Sequence, residues 1–145
     1  MSLCNAILLL LATLVQLVIS TQPRSNLLQI AENADLFLNI KGACTSNTKW
    51  PPKDPKSDKT DQVPMSAMCG YCQNAVYSVA MGGGAGTGCS TATDNGMEAC
   101  EILTKEIDKK SSDIQKFYEE RVEELGNGGG WSLEFCLTLK CCGGK

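Results

Sequence analysis

Residues 69–81 read Cys69-Gly70-Tyr71-Cys72-Gln73-Asn74-Ala75-Val76-Tyr77-Ser78-Val79-Ala80-Met81, and the use made of the two cysteines decides the fold. Cys69, Cys72, Val76 and Val79 recur at spacings of three and four, which predicts a short helix with those side chains near one face. The glycines that follow, Gly82, Gly83, Gly84, Gly86 and Gly88, end it. Two cysteines three apart at a helix start are either an active dithiol or two halves of separate staples. A dithiol requires a buried strand feeding the helix within a β-α-β unit. The preceding segment, Thr60-Asp61-Gln62-Val63-Pro64-Met65-Ser66-Ala67-Met68, is no such strand. Nor does the glycine run cradle a phosphate, because Gly88 is followed by Cys89 and Ser90 rather than by Gly-Lys-Ser/Thr.

The rest of the cysteine usage supports staples. Of nine cysteines in 145 residues, Cys4 lies in a leader whose segment Ala6 to Ile19 is apolar except for Thr13 and Gln16. That run is shorter than the roughly 20 apolar residues of a membrane span, lacks flanking Lys or Arg, and reaches a small residue at Ser20. Residues 1–20 therefore read as a signal peptide cleaved after Ser20. Eight cysteines remain, an even number that can pair completely outside the cell. The chain is expected to be secreted, with about 125 residues in one domain. Cysteines alone could bind zinc, but in an oxidising compartment they are not available as thiolates, so no metal and no cofactor is expected.

The chain has no histidine, which removes the commonest general base and the Ser-His and Cys-His nucleophile pairs. Net charge is -3, and without a basic stripe nucleic-acid binding is disfavoured. No Asn-x-Ser/Thr sequon occurs, so N-glycosylation is not expected. Carboxylates occur on solvated faces without a pair that stands out. The protein reads as non-enzymatic.

Outward from residue 69, the organisation is helical throughout. Residues 21–43 form an N-terminal segment whose helix is predicted over 26–40, with Ser25 and Asn26 as caps and Gly42 closing it. The absence of a dibasic processing site favours its retention. Residues 44–68 are rich in Pro, Lys and Asp and read as an exposed loop or linker. Residues 69–145 make the disulfide-rich domain. Within it, Ile102, Leu103, Ile107, Ile114, Phe117, Tyr118, Val122 and Leu125 form one stripe over 97–125, a long helix broken near Ser111 and Ser112. Glu101 with Lys105, Glu106 with Lys110 and Lys116 with Glu120 are spaced to pair along its outer face. Ser132 is placed to cap a last helix bearing Leu133, Phe135, Cys136, Leu137 and Leu139. No segment alternates like a strand, so the expected fold is all-α, a small disulfide-stapled domain of four to five helices.

The order Cys69-x2-Cys72, Cys89-x10-Cys100, Cys136-x5-Cys142, together with the apolar closing segment from Phe135 to Cys142, resembles the saposin-like family over residues 69–142. The resemblance implies bonds from Cys69 to Cys142, Cys72 to Cys136 and Cys89 to Cys100. Adjacent Cys141 and Cys142 are poorly placed to bond each other, which leaves Cys44 for Cys141. Two spacings depart from the family. Sixteen residues separate Cys72 from Cys89 where two helices normally fit, and thirty-five separate Cys100 from Cys136.

By this resemblance the protein would bind lipid or a membrane surface through an amphipathic, disulfide-bound leaf, with Ile107, Ile114, Phe117, Val122, Leu133, Phe135 and Leu139 as contacts. Periodicity alone places the same side chains in the core. The acidic cluster Glu119, Glu120, Glu123 and Glu124 reads as a solvated face; were it functional, its protonation in an acidic compartment would relieve repulsion and favour membrane approach. A second expectation is a secreted, toxin-like or signalling ligand that binds a cell-surface receptor or channel through a rigid epitope such as Trp50-Pro51-Pro52. Homodimerisation stays open on either reading.

Overall fold

The computed structural model describes residues 26–49, 63–125 and 128–143. The segment read as a signal peptide, its Cys4 and the Trp50-Pro51-Pro52 segment lie outside these residues. In chain order come helix α1 (Asn26–Glu32), a 3-10 turn η1 (Ala34–Phe37), α2 (Leu38–Asn47), strands β1 (Thr48–Lys49) and β2 (Val63–Pro64), and α3 (Met65–Ala80). A second 3-10 turn η2 (Ala85–Cys89), α4 (Asp94–Asp108), α5 (Ser111–Glu119), α6 (Val122–Leu125) and α7 (Gly130–Thr138) complete the fold. It is the small disulfide-stapled all-α domain expected.

Helix α3 is the hub, packed by η2, α4, α5 and α7. It begins four residues before Cys69, because Pro64 sits in extended backbone at the helix entrance, where its missing N–H costs nothing. Met68, Tyr71, Cys72, Ala75, Val76 and Val79 bury its inner face at helical spacing. The helix ends in a paired motif at Gly82 (φ 82°), with Gly83 N–H donating to the Ser78 carbonyl and Gly82 N–H to that of Val79.

The glycines do more than stop α3. Ala85 and Gly88 are buried, and a Cβ on Gly88 would stand 2.7 Å from both the Ala75 Cβ and the Tyr71 carbonyl oxygen. Glycine is required there by the close approach of η2 to α3. The Asp108 carboxylate, at the far end of α4, accepts the Ala85 N–H at 3.0 Å and fixes the turn. Thus η2 and the second half of α3 occupy the short interval between Cys72 and Cys89.

Residues 26–40 are not one helix. The chain turns at Asn33, whose side-chain amide donates to the Gln29 carbonyl, and passes through η1 into α2. Gly42 does not close the segment either. Helix α2 continues to Asn47, where Ser46 and Asn47 side chains donate back to the carbonyls of Gly42 and Ala43. A glycine inside a helix costs about 1 kcal/mol relative to alanine, and here burial of Ile40, Ala43 and Cys44 on the inner face overrides it. Beyond the helix, β1 and β2 pair in parallel, Thr48 against Val63.

The stripe over 97–125 is broken at Lys109 and Lys110, just before Ser111 and Ser112, which open α5, and a second time, unexpectedly, at Glu120 and Arg121, giving α4, α5 and α6. Lys116 pairs with Glu120 at 3.9 Å, but Glu106 takes Lys109 at 2.6 Å and Lys110 turns to Asp113, since α4 stops before an i,i+4 pair can close. Ring contacts gather at the core's far side. Phe135 of α7 meets Phe37 at 4.9 Å and Phe117 at 6.0 Å, and Trp131 lies against Tyr118 at 5.1 Å.

Helix α7 closes as α3 does, with Cys141 N–H donating to the Cys136 carbonyl and Lys140 N–H to that of Leu137. The left-handed residue is Lys140, at φ 61°. A side chain there costs about 1 kcal/mol that glycine would avoid. Lys140→Gly is therefore expected to raise the unfolding free energy by about 1 kcal/mol, and Gly82→Ala to lower it by about the same. Denaturant titration with the disulfides intact checks both.

Candidate functional site

All eight cysteines of the described chain are bonded: Cys44 to Cys141, Cys69 to Cys142, Cys72 to Cys136, and Cys89 to Cys100. These are the pairs named above from the saposin-like resemblance and from the adjacency of Cys141 and Cys142. The left-handed step at Lys140 turns the chain so that the neighbours diverge, one toward α2 and the other toward α3. Three of the bonds make one knot, in which the first turns of α3 hold the end of α7 twice and α2 is tied to the same tail. Cys69 and Cys72 thus have different partners. Cys72 is fully buried, and the Gln73 side-chain amide donates to Cys69 Sγ at 3.1 Å. The pair is therefore not joined as the disulfide of a two-cysteine redox centre.

The seven expected lipid contacts divide by position. Ile107, Ile114, Phe117, Phe135 and Leu139 are buried in the common core. Val122 is half-buried against it, and Leu133 is 39% exposed on the outer side of α7. Leu133 is the one of the seven that clearly faces solvent. The structure also exposes Leu36 (43%), Leu38 (53%), Tyr77 (37%), Met81 (47%), Met97 (38%) and Ile102 (38%). Leu38 and Ile102 rim a shallow groove of about 460 Å³ between α2 and α4, whose α2 wall is small: Gly42, Ala43 and Ser46. Glu106 and Lys109 close its polar end.

Sequence reasoning missed this edge for a definable reason. Leu36 and Leu38 flank the buried Phe37, and a single helix predicted over 26–40 gives no sign of which of the three turns inward. Ile102 sits one residue, about 100° of helix, from Leu103, while Ala99, Leu103 and Ile107 form the buried row. The strict four-residue spacing of that row was the available signal.

The acidic cluster is mostly solvated, as expected for an outer face: Glu119, Glu120, Glu123 and Glu124 are exposed. It nevertheless has structure. Arg121 stands among these acids, its guanidinium 3.5 Å from Glu120 and 4.9 Å over the Phe117 ring. Glu124 accepts a hydrogen bond from the Gln29 side-chain amide and so links α6 to α1. Glu32, Glu120, Arg121 and Glu124 line the hollow between those helices. Among the described residues no group of three or more His, Cys, Asp or Glu is placed to hold a metal ion, and no helix is long and apolar enough to cross a membrane.

No protein-family model, curated protein or solved structure matches this chain. The disulfide knot carries a direct expectation. Replacing Cys69 and Cys142 together by alanine should lower stability by about 2–5 kcal/mol, because it frees the C-terminal tail from the hub helix. Denaturant unfolding of the double variant checks this, and thiol titration should find none of the other six disulfide-bonded cysteines free.

Proposed function

We propose that this is a secreted, non-enzymatic protein that binds lipid or a membrane surface, in the manner that its saposin-like cysteine spacing implies. The observation that supports it best is the pair Leu38 and Ile102, two exposed large apolar side chains on the rim of one groove. These large side chains are held outward on helices whose inner faces are already full, beside a groove that offers them no cover. Such a surface gains free energy by leaving water. On this reading the edge makes first contact with the bilayer, and the disulfide knot keeps the protein folded there.

The alternative is a ligand for a receptor or channel. It is favoured by the rigidity that four bonds confer on the same edge, since pre-ordered side chains lower the entropic cost of docking to a protein.

Co-sedimentation with phosphatidylserine/phosphatidylcholine vesicles separates the two. Wild-type protein should partition into the vesicle pellet, and Leu38→Glu or Ile102→Glu should each reduce partitioning about tenfold, the equivalent of one side chain's transfer from water. Both positions are exposed, so the fold should survive, which a circular-dichroism melt verifies. Absence of vesicle binding by the folded wild-type protein turns the assignment to the receptor ligand.

A further inference from the structure

The disulfide map divides the molecule unequally. Helices α2, α3 and the end of α7 meet in one knot, and Cys89–Cys100 ties η2 to the first half of α4. Between Cys100 and Cys136 no covalent link reaches the chain, and α5 and α6 lie in that interval. We infer that α5 and α6 form a strap that opens from α3 and α7 as a unit, with every disulfide intact, and uncovers the apolar core.

Noncovalent contacts alone hold the strap. Ile114, Phe117 and Tyr118 are buried beneath it. The Gln115 side-chain amide donates to the Val79 carbonyl at 3.1 Å, and Glu124 receives the Gln29 amide. The seam also contains an unmet polar group: Trp131, packed on Tyr118, buries its indole N–H without a hydrogen-bond partner among the described residues. Opening would give that donor to water, which offsets part of the cost of separating the rings. At the proximal end the pivot is Lys109–Lys110, where α4 has ended and α5 has not begun, so a change of backbone angles there breaks neither helix. The motion would expose Ile114 and Phe117 on the strap and Phe135 on α7.

The inference concerns the protein alone and does not rest on the lipid reading. Hydrogen exchange followed by mass spectrometry, on the mature protein with its disulfides intact, tests it. Amides of α5 are expected to exchange at least about tenfold faster than those of α3, through an opening below the global one. Phe117→Ala should accelerate the α5 amides by about 100-fold and leave α3 within about twofold, since the lost packing belongs to the strap. Gln115→Ala, a milder change, should show the same asymmetry at about fivefold to tenfold. Wild-type α5 as slow as α3, or equal acceleration of α3 and α5 in the variants, would mean that the domain opens in one step and would overturn the strap.

Discussion

Everything in the fold hangs from the first two turns of α3. Cys69 and Cys72 are one helical turn apart, so their bonds to Cys142 and Cys136 fix both the position and the rotation of that helix against the C-terminal segment. Closing the interval between Cys72 and Cys136 alone removes chain entropy worth about 4 kcal/mol from the unfolded state. With α3 so held, Val76 and Val79 have a set direction. The buried faces of α4, α5 and α7 are then chosen by what can pack against it. The glycines of η2 belong to the same constraint, since only a residue without Cβ at position 88 can lie against Ala75 and Tyr71.

Helix identity was largely legible because the buried rows keep their period. Val76 and Val79, then Ala99, Leu103 and Ile107, then Ile114 and Phe117, recur as an amphipathic helix must. The break before Ser111 was legible too, in a polar run that interrupts the stripe. Two things were not. Gly42 looked like a stop, because local propensity cannot register that α2 continues with Ala43 and Cys44 packed inward. The turn at Asn33 leaves no clear pattern in a segment so evenly supplied with leucine and isoleucine. The apolar edge was obscured for the same reason: composition shows how many large side chains exist, not which exceed what the core can hold.

The seven residues expected to meet lipid show how a periodic apolar stripe can serve the core instead of an outer surface. Five of them are the core itself, so they stabilise the folded domain at about 1.5–3 kcal/mol each and cannot at the same time face a bilayer. The outward Leu36, Leu38 and Ile102 carry no such double duty. A division between side chains that hold the domain shut and side chains that meet the outside fits a protein whose hub helix is tied covalently at its first turns and packed noncovalently along the rest of its inner face.

The parallel pairing of Thr48 with Val63 has a consequence for how this chain can change. The two strands bring the chain's exit after α2 and its re-entry before α3 side by side, and the Thr48 hydroxyl, donating to the Cys44 carbonyl, anchors the exit to the helix end. Whatever joins them begins and finishes at neighbouring positions, Lys49 and Val63. Doubling the length of such a connection costs about 0.6 kcal/mol in closure entropy, which is little against a core locked elsewhere. Insertion, shortening or wholesale replacement can accumulate at this point while the packed helices stay constant. It is where related chains should diverge fastest without retuning the interior.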